Sequence, residues 1–303
     1  MKHKAIYYKQ LTNGNVAHVY EHMVSHAVTR EFLKRELYRN FDYEFYATTR
    51  DGIVRLGVYA NDKKILKLFY NTIKSHKSSE QDIKDCISQI EVEYKFKAIC
   101  DMPKVRQMIS DAEKKPWQDH VNMGITDFPK QLARNYKTKE ISLTKTPKNM
   151  FETYELRYEI GACETNLRPL VPYVLYSLGI TVLDVVSVKL SQTYDDGDKW
   201  AEYQKPMGYL NYVSFHKTNN YKKADFLKIQ KDILSKFKSD KVSSKIASAA
   251  TDDFTTENSL ITNNENYAMS GHYIGEKLFK KYATKENVKI ILDSIDLVAK
   301  KTL

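Results

Sequence analysis

The strongest pattern in this sequence is Asn15-Val16-Ala17-His18-Val19-Tyr20-Glu21-His22-Met23. Apolar residues recur at helical spacing over residues 16–38, a range without Gly or Pro, so a helix is expected there. Residues four apart share a face of a helix, and His18 and His22 can therefore direct two imidazoles at one metal ion. Glu21 lies beside them and could hold and deprotonate a water molecule at that metal. The order His-x-x-Glu-His is the inverse of the commoner zinc-protease motif.

A third histidine, His26, continues the same stripe of the predicted helix. At a rise of 1.5 Å per residue, His18 and His26 lie about 12 Å apart along the axis, so they cannot bind the same ion. We therefore expect His26 to lie outside the ligand set, behind the ligands or at the surface. The alternative interpretation is an ordinary surface helix that carries two histidines and a glutamate without binding a metal.

Strand and helix patterns alternate along the rest of the chain. In the first half, apolar periodicity and turn residues predict a strand at 5–10, a hairpin at 41–59 with its turn at 50–52, and helices at 62–74 and 80–99. A second series follows, and its predicted strands and helices are 154–162, 170–193, 208–216, 223–237 and 285–301.

The two series suggest two subdomains. Residues 143–153, with Pro147 among them, are the best candidate for a linker. We predict a metal-binding subdomain at 1–145 and a second, non-metal subdomain of similar architecture at 146–303. The predicted fold class is α+β, with two related α/β subdomains that are each an antiparallel-rich sheet packed by helices.

Composition excludes several classes of protein. Of the 303 residues, 42% are hydrophobic and 28% are charged, so we expect a folded core and no general disorder. Three cysteines are too few for a disulfide framework and favour a reducing compartment. The first residues lack the apolar core of a secretion signal, and the apolar stretch 173–190 contains Asp184. We therefore expect a buried helix, no membrane span and a cytoplasmic protein.

The net charge of +10 and the 22 tyrosines would also suit a nucleic-acid-binding protein. The sequence contains no zinc-knuckle spacing, no RNA-recognition aromatic motif and no glycine-rich phosphate loop. Its lysine pairs, such as Lys222-Lys223 and Lys280-Lys281, are typical of solvated helix faces. We therefore do not expect nucleic acid to be a partner.

The stretch around His18 resembles the active-site helix of the pitrilysin, insulysin and mitochondrial processing peptidase family, the inverted zincins. That helix usually reads Gly-x-Ala-His-x-x-Glu-His-Met or Leu, and a strand with Asn-Ala-x-Thr and then an acid follows about 25 residues later. Here Tyr46-Ala47-Thr48-Thr49-Arg50-Asp51 matches at Ala47, Thr49 and Asp51, with Tyr46 in place of the Asn. The resemblance covers the chain in outline, as a single short module, and is specific only between residues 15 and 59.

The resemblance implies a zinc metallopeptidase that hydrolyses peptide bonds in peptides or unfolded segments. Carried over, His18 and His22 are ligands of one zinc ion per chain, and Glu21 is the general base. The family's strand would bind an extended peptide through its edge, which reads backbone more than side chains. The residues of that substrate strand here are Tyr46, Ala47, Thr48 and Thr49.

The family's third ligand is a glutamate some seventy residues after the histidines. Glu91 and Glu93 are the candidates here, and both lie on the predicted helix 80–99. They are about 200° apart around that helix, so only one of them can face the metal. Family members often have an apolar residue three positions before the ligand, and Ile90 stands there for Glu93. We prefer Glu93, with Glu91 as the alternative.

Two departures from the family bear on function. Full-length members carry two modules that face each other across a closed chamber, whereas this chain has material for one, which implies a homodimer or a related partner subunit. The second module often supplies a Tyr in a Leu-Gly-Tyr context and an Arg. Met207-Gly208-Tyr209 resembles that context and makes Tyr209 a weaker catalytic candidate, but Glu202 stands at the Arg position. The alternative function is therefore a catalytically silent subunit that binds a peptide or a partner.

Overall fold

The computed structural model describes residues 3–39, 41–94, 96–119, 141–145, 151–160, 164–190, 193–194, 201–202, 207–216, 222–255 and 275–302. Helices and antiparallel strands are mixed throughout, which confirms the predicted α+β class. The chain divides into two units: one comprises Met1–Tyr38 and Asp42–Met150, and the other comprises Arg39–Phe41 and Phe151–Leu303.

The first unit contains six described strands and four helices. In chain order they are β1 (His3–Gln10), α1 (Gly14–Lys34), β2 (Tyr43–Arg50), β3 (Ile53–Ala60), α2 (Lys63–Ser75), α3 (Glu80–Tyr94), β4 (Phe96–Cys100), α4 (Met102–Lys114), β5 (Gln118–Asp119) and β6 (Ile141–Lys145). Four strands form an antiparallel sheet in the order β2-β3-β1-β5, and β4 pairs with β6.

Local chemistry accounts for the start of the first helix and for the turn of the hairpin that follows it. The side chain of Asn13 accepts a hydrogen bond from the backbone N–H of Val16 at 3.0 Å and so caps α1. Asp51 and Gly52 form the two-residue turn between β2 and β3, and both have positive φ, 53° and 75°. That conformation matches the right-handed twist of a hairpin and suits Asp-Gly. The predicted strand, first helix and hairpin are thus confirmed.

Apolar residues of α1, α2 and α3 pack on the central sheet. α1 contributes fully buried residues such as Val16, Met23 and Phe32, and the ring of Phe32 meets that of Tyr43 edge to face at 4.5 Å between centroids. The predicted helix 80–99 is too long, because α3 ends at Tyr94 and residues 96–100 are strand β4. The predicted linker 143–153 is also too long, since its ends belong to β6 and β7, and residues 146–150 lie outside the described ranges.

The second unit contains the remaining elements of the described ranges. They are β7 (Phe151–Ile160), a 3-10 helix (Thr165–Leu170), α5 (Val171–Leu190), β8 (Thr193–Tyr194), β9 (Ala201–Glu202), β10 (Met207–His216), α6 (Lys223–Phe237), α7 (Asp240–Thr255), α8 (Glu276–Tyr282), α9 (Lys285–Asp293) and β11 (Ile295–Thr302). The strands pair antiparallel in the order β11-β7-β10-β8, with β9 also on β10. The predicted helix 285–301 is wrong beyond Asp293, because the helix ends there and β11 begins at Ile295.

The apolar helix of the second unit is a core element. By length and composition, Thr165–Lys189 is the one described helical stretch that could cross a membrane, and 78% of its most apolar window is buried inside the protein. Core helices of soluble proteins meet the same criteria. Asp184, in the middle of α5, forms an ion pair with Arg39.

Candidate metal centre

The candidate site lies where α1 and α3 pack against each other in the first unit. Two side chains of α1 and one of α3 converge, because His18 and His22 are one turn apart on α1 and Glu93 lies near the end of α3. Their side chains are 12%, 16% and 42% exposed, so the histidines are covered and the carboxylate reaches solvent. Within the described ranges, this is the one group of three His, Cys, Asp or Glu residues with ligand atoms close enough to share an ion.

The three ligand atoms form a nearly equilateral triangle. His18 Nε2 and His22 Nε2 are 3.2 Å apart, and Glu93 Oε2 lies 3.4 Å from the former and 3.3 Å from the latter. A tetrahedral zinc ion with bonds of about 2.0–2.1 Å separates its ligands by about 3.3 Å. Two imidazole nitrogens and one carboxylate oxygen are also a donor set that zinc binds, with a fourth position left for water. The residues therefore fit such an ion.

Glu91 points elsewhere. It is 9% exposed, and its Oε1 accepts a hydrogen bond from the backbone N–H of Ala98 at 2.8 Å. This contact joins α3 to the strand that follows it and compensates the burial of the Glu91 carboxyl group. Of the two glutamates considered from the sequence, the structure brings only Glu93 to the histidines.

Glu21 is buried beside the triangle and held from the opposite element. It is 9% exposed, and Thr49 Oγ1 of β2 donates a hydrogen bond to its Oε2 at 2.8 Å. Burial raises the pKa of Glu21, and the charge of Glu93 adds to that rise, whereas His22 and the Thr49 hydrogen bond oppose it. The net effect is that the pKa of Glu21 lies above that of an exposed glutamate.

The charges of the triangle influence one another. Burial and the neighbouring His22 lower the pKa of His18 to about 4, against an opposing effect of Glu93. Burial also disfavours charge on His22, but Glu93, Glu21 and Gln89 together raise its pKa above the ordinary value. For Glu93 the effect of burial is outweighed by the two histidines, which lower its pKa. The site therefore favours an ionised Glu93 and a neutral His18, the forms that bind a metal, whereas His22 holds a proton more readily than an ordinary histidine and would have to release it on binding a metal.

His26 lies next to His22 but outside the group of three candidate ligands. It is 9% exposed, its ring centroid is 6.4 Å from that of His22, and its Nδ1 is 3.9 Å from Cys86 Sγ. Burial, His22 and Arg30 lower its pKa to about 3, so the ring is neutral. His26 thus lies outside the group of three, as its distance from His18 along the helix predicts, and it is buried rather than at the surface.

The substrate strand predicted from the sequence is β2, which is an edge strand of its sheet within the described part of the chain. Thr49 and Ala47 face the helices, whereas Tyr46 lies on the other face. There its ring covers Gly57 of β3 and leaves no room for a Cβ at that position. Arg55 donates a hydrogen bond to Tyr46 Oη at 3.1 Å. Tyr46 therefore stabilises the hairpin.

The hairpin register fixes which backbone groups of β2 point outward. Arg50 pairs with Ile53 across the two-residue turn. The pair flanking such a turn exchanges both backbone hydrogen bonds, and the pairs then alternate. The N–H and C=O of Ala47 and Thr49 therefore face away from β3. Thr49 is also the residue whose side chain holds Glu21.

Two residues near the triangle escaped the sequence prediction. Gln89, one turn before Glu93, has its Oε1 3.0 Å from His22 Nδ1. Tyr94 lies edge to face against His18, with 5.5 Å between ring centroids, and is 45% exposed. Proximity to Glu93 along α3 is the one sequence feature that could have pointed to them.

The weaker candidate, Tyr209, lies on β10 of the second unit. Its backbone pairs with Tyr158 of β7 on one side and Ala201 of β9 on the other, and Glu202 pairs with Gly208. The side chains of Tyr209 and Glu202 lie outside the described part of the chain.

The sequence matches no protein-family model and no curated protein. Among solved structures, the chain is similar to an inactive domain of peptidase M16 from Pseudomonas fluorescens, with 11% identity, 98% of this chain and 92% of that chain covered, and a TM-score of 0.32. A protease from Helicobacter pylori gives 12% identity, coverages of 98% and 93%, and a TM-score of 0.34. The chain is also similar to pitrilysin, with 8% identity and a TM-score of 0.34. That match covers 98% of this chain but 40% of pitrilysin, so the chain spans about two fifths of the length of pitrilysin. At such identities and TM-scores, the chemistry of this chain has to be argued from its own side chains.

Proposed function

We propose that this chain is a pitrilysin-like zinc peptidase, in which His18, His22 and Glu93 bind one zinc ion and Glu21 acts as general base. The observation that carries the proposal is the triangle of ligand atoms, with edges of 3.2, 3.3 and 3.4 Å, beside a buried carboxyl group. Two imidazoles and a carboxylate at this spacing are a donor set that zinc binds, and a nearby carboxyl group is one of the groups that can act as a general base.

Each side chain then has a definite task. When bound, zinc would polarise a peptide carbonyl and lower the pKa of water toward neutrality. Glu21, whose own pKa is raised by burial, takes the proton from the attacking water and returns it to the leaving amine. Thr49 holds Glu21 through its Oε2, which leaves the other carboxylate oxygen for the proton transfer. Covered histidines keep bulk water away from one side of the site.

The substrate would be an extended peptide paired with the edge of β2. The outward N–H and C=O groups of Ala47 and Thr49 offer it backbone hydrogen bonds, as in strand addition to other sheets. Because Thr49 also holds Glu21, a peptide bound there lies within reach of the proposed base. This mode of binding implies little preference for particular side chains.

The zinc site can be tested by metal content. We expect about one zinc per chain in the purified wild-type protein by elemental mass spectrometry, and its loss in His22→Ala and Glu93→Gln. Glu91→Gln is the matched control, since its carboxyl group is committed to Ala98, and it should retain zinc. A wild-type protein without zinc, even after zinc is supplied and excess removed, would contradict the proposal.

The base can be tested separately with quenched peptide substrates. Glu21→Gln should keep its zinc and lose hydrolysis by roughly 10²- to 10⁴-fold, the usual contribution of a general base. Unchanged hydrolysis in this variant would show that Glu21 has another role. The chelator-treated wild-type protein should be equally inactive and should recover on addition of zinc.

A second candidate function is a catalytically silent relative that presents a peptide or assembles with a partner. Glu202 at the position where the resemblance expects an Arg favours it. Zinc binding without hydrolysis, in the wild-type protein alone, would support this candidate. We also propose that a second copy or a related subunit completes the chamber, which sedimentation of the active species would test.

A further inference from the structure

A buried amide contacts the ring of His22 on the side opposite Glu93. Gln89 is 1% exposed, and its Oε1 lies 3.0 Å from His22 Nδ1. One turn later on the same face of α3, Glu93 Oε2 lies 3.3 Å from Nε2 of the same ring. α3 thus contacts both nitrogens of one imidazole.

The contact with Gln89 selects one tautomer of His22. An amide oxygen only accepts hydrogen bonds, so a neutral His22 must carry its proton on Nδ1 and donate it to Gln89 Oε1. The lone pair is then on Nε2, the atom that lies 3.2 Å from His18 Nε2. In the other tautomer, Nδ1 would face the amide oxygen lone pair to lone pair, and a proton would occupy the position of the metal.

We infer that Gln89 is a positioning residue that holds His22 in the tautomer able to bind a metal through Nε2. The inference rests on the proposed zinc site and adds to it a residue that does not itself touch the ion. Partners of this kind are frequently carboxylates, which orient the ring and also raise its basicity. The amide of Gln89 orients the ring without adding charge. The Gln89→Glu variant should therefore bind zinc at least as tightly as the wild-type protein.

Zinc affinity, measured by competition with a chromogenic chelator, tests the inference without reference to turnover. Gln89→Met keeps the shape of the buried side chain and removes the acceptor, and it should weaken zinc binding roughly 10- to 100-fold. Gln89→Glu keeps an acceptor and should bind at least as tightly as the wild-type protein. Ser88→Ala, on the neighbouring position of α3, is the control and should be unchanged. Wild-type affinity in Gln89→Met would overturn the inference.

The metal-free protein provides the second readout. We would record the ring-nitrogen spectrum of protein with ¹⁵N-labelled histidine, at a pH where the ring is neutral, and assign His22 by its loss in His22→Ala. The Nδ1–H tautomer is expected in the wild-type protein and in Gln89→Glu, and its loss in Gln89→Met. A wild-type Nε2–H tautomer would overturn the role of Gln89. Failure of the wild-type protein to bind zinc would instead overturn the proposed function, while the spectrum still decides the tautomer.

Discussion

Burial is the largest influence on the pKa of Glu21, and it is opposed first by His22 and then by the hydrogen bond from Thr49. Burial raises the pKa, and the hydrogen bond from Thr49 limits that rise by stabilising the ionised form. A general base is most effective when its pKa lies near the working pH and its unprotonated form is still populated. Thr49 therefore tunes Glu21 as well as holding it in place.

Replacing Thr49 by Val tests this tuning. The variant keeps the shape of the side chain and removes the hydroxyl donor, so the pKa of Glu21 should rise further. If Glu21 is the base of the proposed peptidase, it must be ionised to act, and the acid limb of the pH profile of kcat/KM should move to higher pH. Thr48→Val, on the exposed neighbouring position, should leave the profile in place. An unshifted acid limb in Thr49→Val would show that the hydrogen bond does not affect the ionisation of Glu21.

Spacing on one helix is enough to predict that His18 and His22 share a face, because both lie on α1. The choice between Glu91 and Glu93 depends on how α3 is rotated against α1, which no local pattern records. In the structure, this rotation turns Glu93 toward the histidines and Glu91 toward Ala98. Gln89 is inaccessible to sequence reasoning for the same reason, since a single glutamine has no spacing motif.

At the scale of elements, the sequence predicts the beginnings of helices better than their ends. Asn13 and Asp62 cap α1 and α2 through their own side chains, which is local chemistry. In contrast, β11 begins at Ile295 although its apolar residues also fit helical spacing. Its pairing with β7, where Ile295 is opposite Ile160, decides the outcome. The same holds for β4, whose residues pair with residues of β6 that lie 41 to 49 positions further along the chain.

Lys9 shows how one charged side chain joins two elements. Its Nζ is inside the first unit, 4% exposed as a residue, and donates to the carbonyl of Ala112 at the end of α4 at 2.8 Å. It also lies 4.7 Å from the ring centroid of Trp117, an arrangement in which the aromatic face attracts the cation. Burial lowers the pKa of Lys9 from 10.5 to about 8.

This pKa predicts a change of stability with pH. Because the folded-state pKa lies below the unfolded one, the unfolded chain binds more protons between pH 8 and 10.5. The unfavourable contribution of Lys9 is therefore fully present below pH 8 and decreases as the pH rises through this window. We would measure the free energy of unfolding with urea at pH 7 and pH 10. The value for the wild-type protein minus that for Lys9→Met should be larger at pH 10 than at pH 7. A difference between the two proteins that is the same at both pH values would contradict this prediction.

At the scale of the whole molecule, the two units do not follow the order of the chain. Residues 39–41 belong to the second unit although the chain on both sides of them belongs to the first. Arg39 Nε donates to Asp184 Oδ2 at 3.1 Å, and the ring of Phe41 meets that of Phe237 with 6.0 Å between centroids. A subdomain boundary is predicted from the composition of a linker. Three residues that belong to the other unit leave no such signal in the sequence.

Arg39→Met should therefore destabilise the second unit. Removing the partner of an aspartate that is 6% exposed costs roughly 3–5 kcal/mol of unfolding free energy. We expect faster amide hydrogen exchange in α5, measured by mass spectrometry. The double variant Arg39→Met/Asp184→Leu should recover much of this loss, because it removes the buried charge as well. Unchanged exchange in α5 of the single variant would count against a stabilising role of the pair.

The crossing at 39–41 also limits how this protein can be divided. A fragment that begins at Phe151 would contain most of the second unit but would lack Arg39 and Phe41, and with them the partner of Asp184 and a ring packed on Phe237. Expression of the two halves as independent pieces should therefore give a C-terminal piece that folds poorly. The segment that separates the helix of the candidate metal centre from its neighbouring strand is thus also a part of another unit's interior.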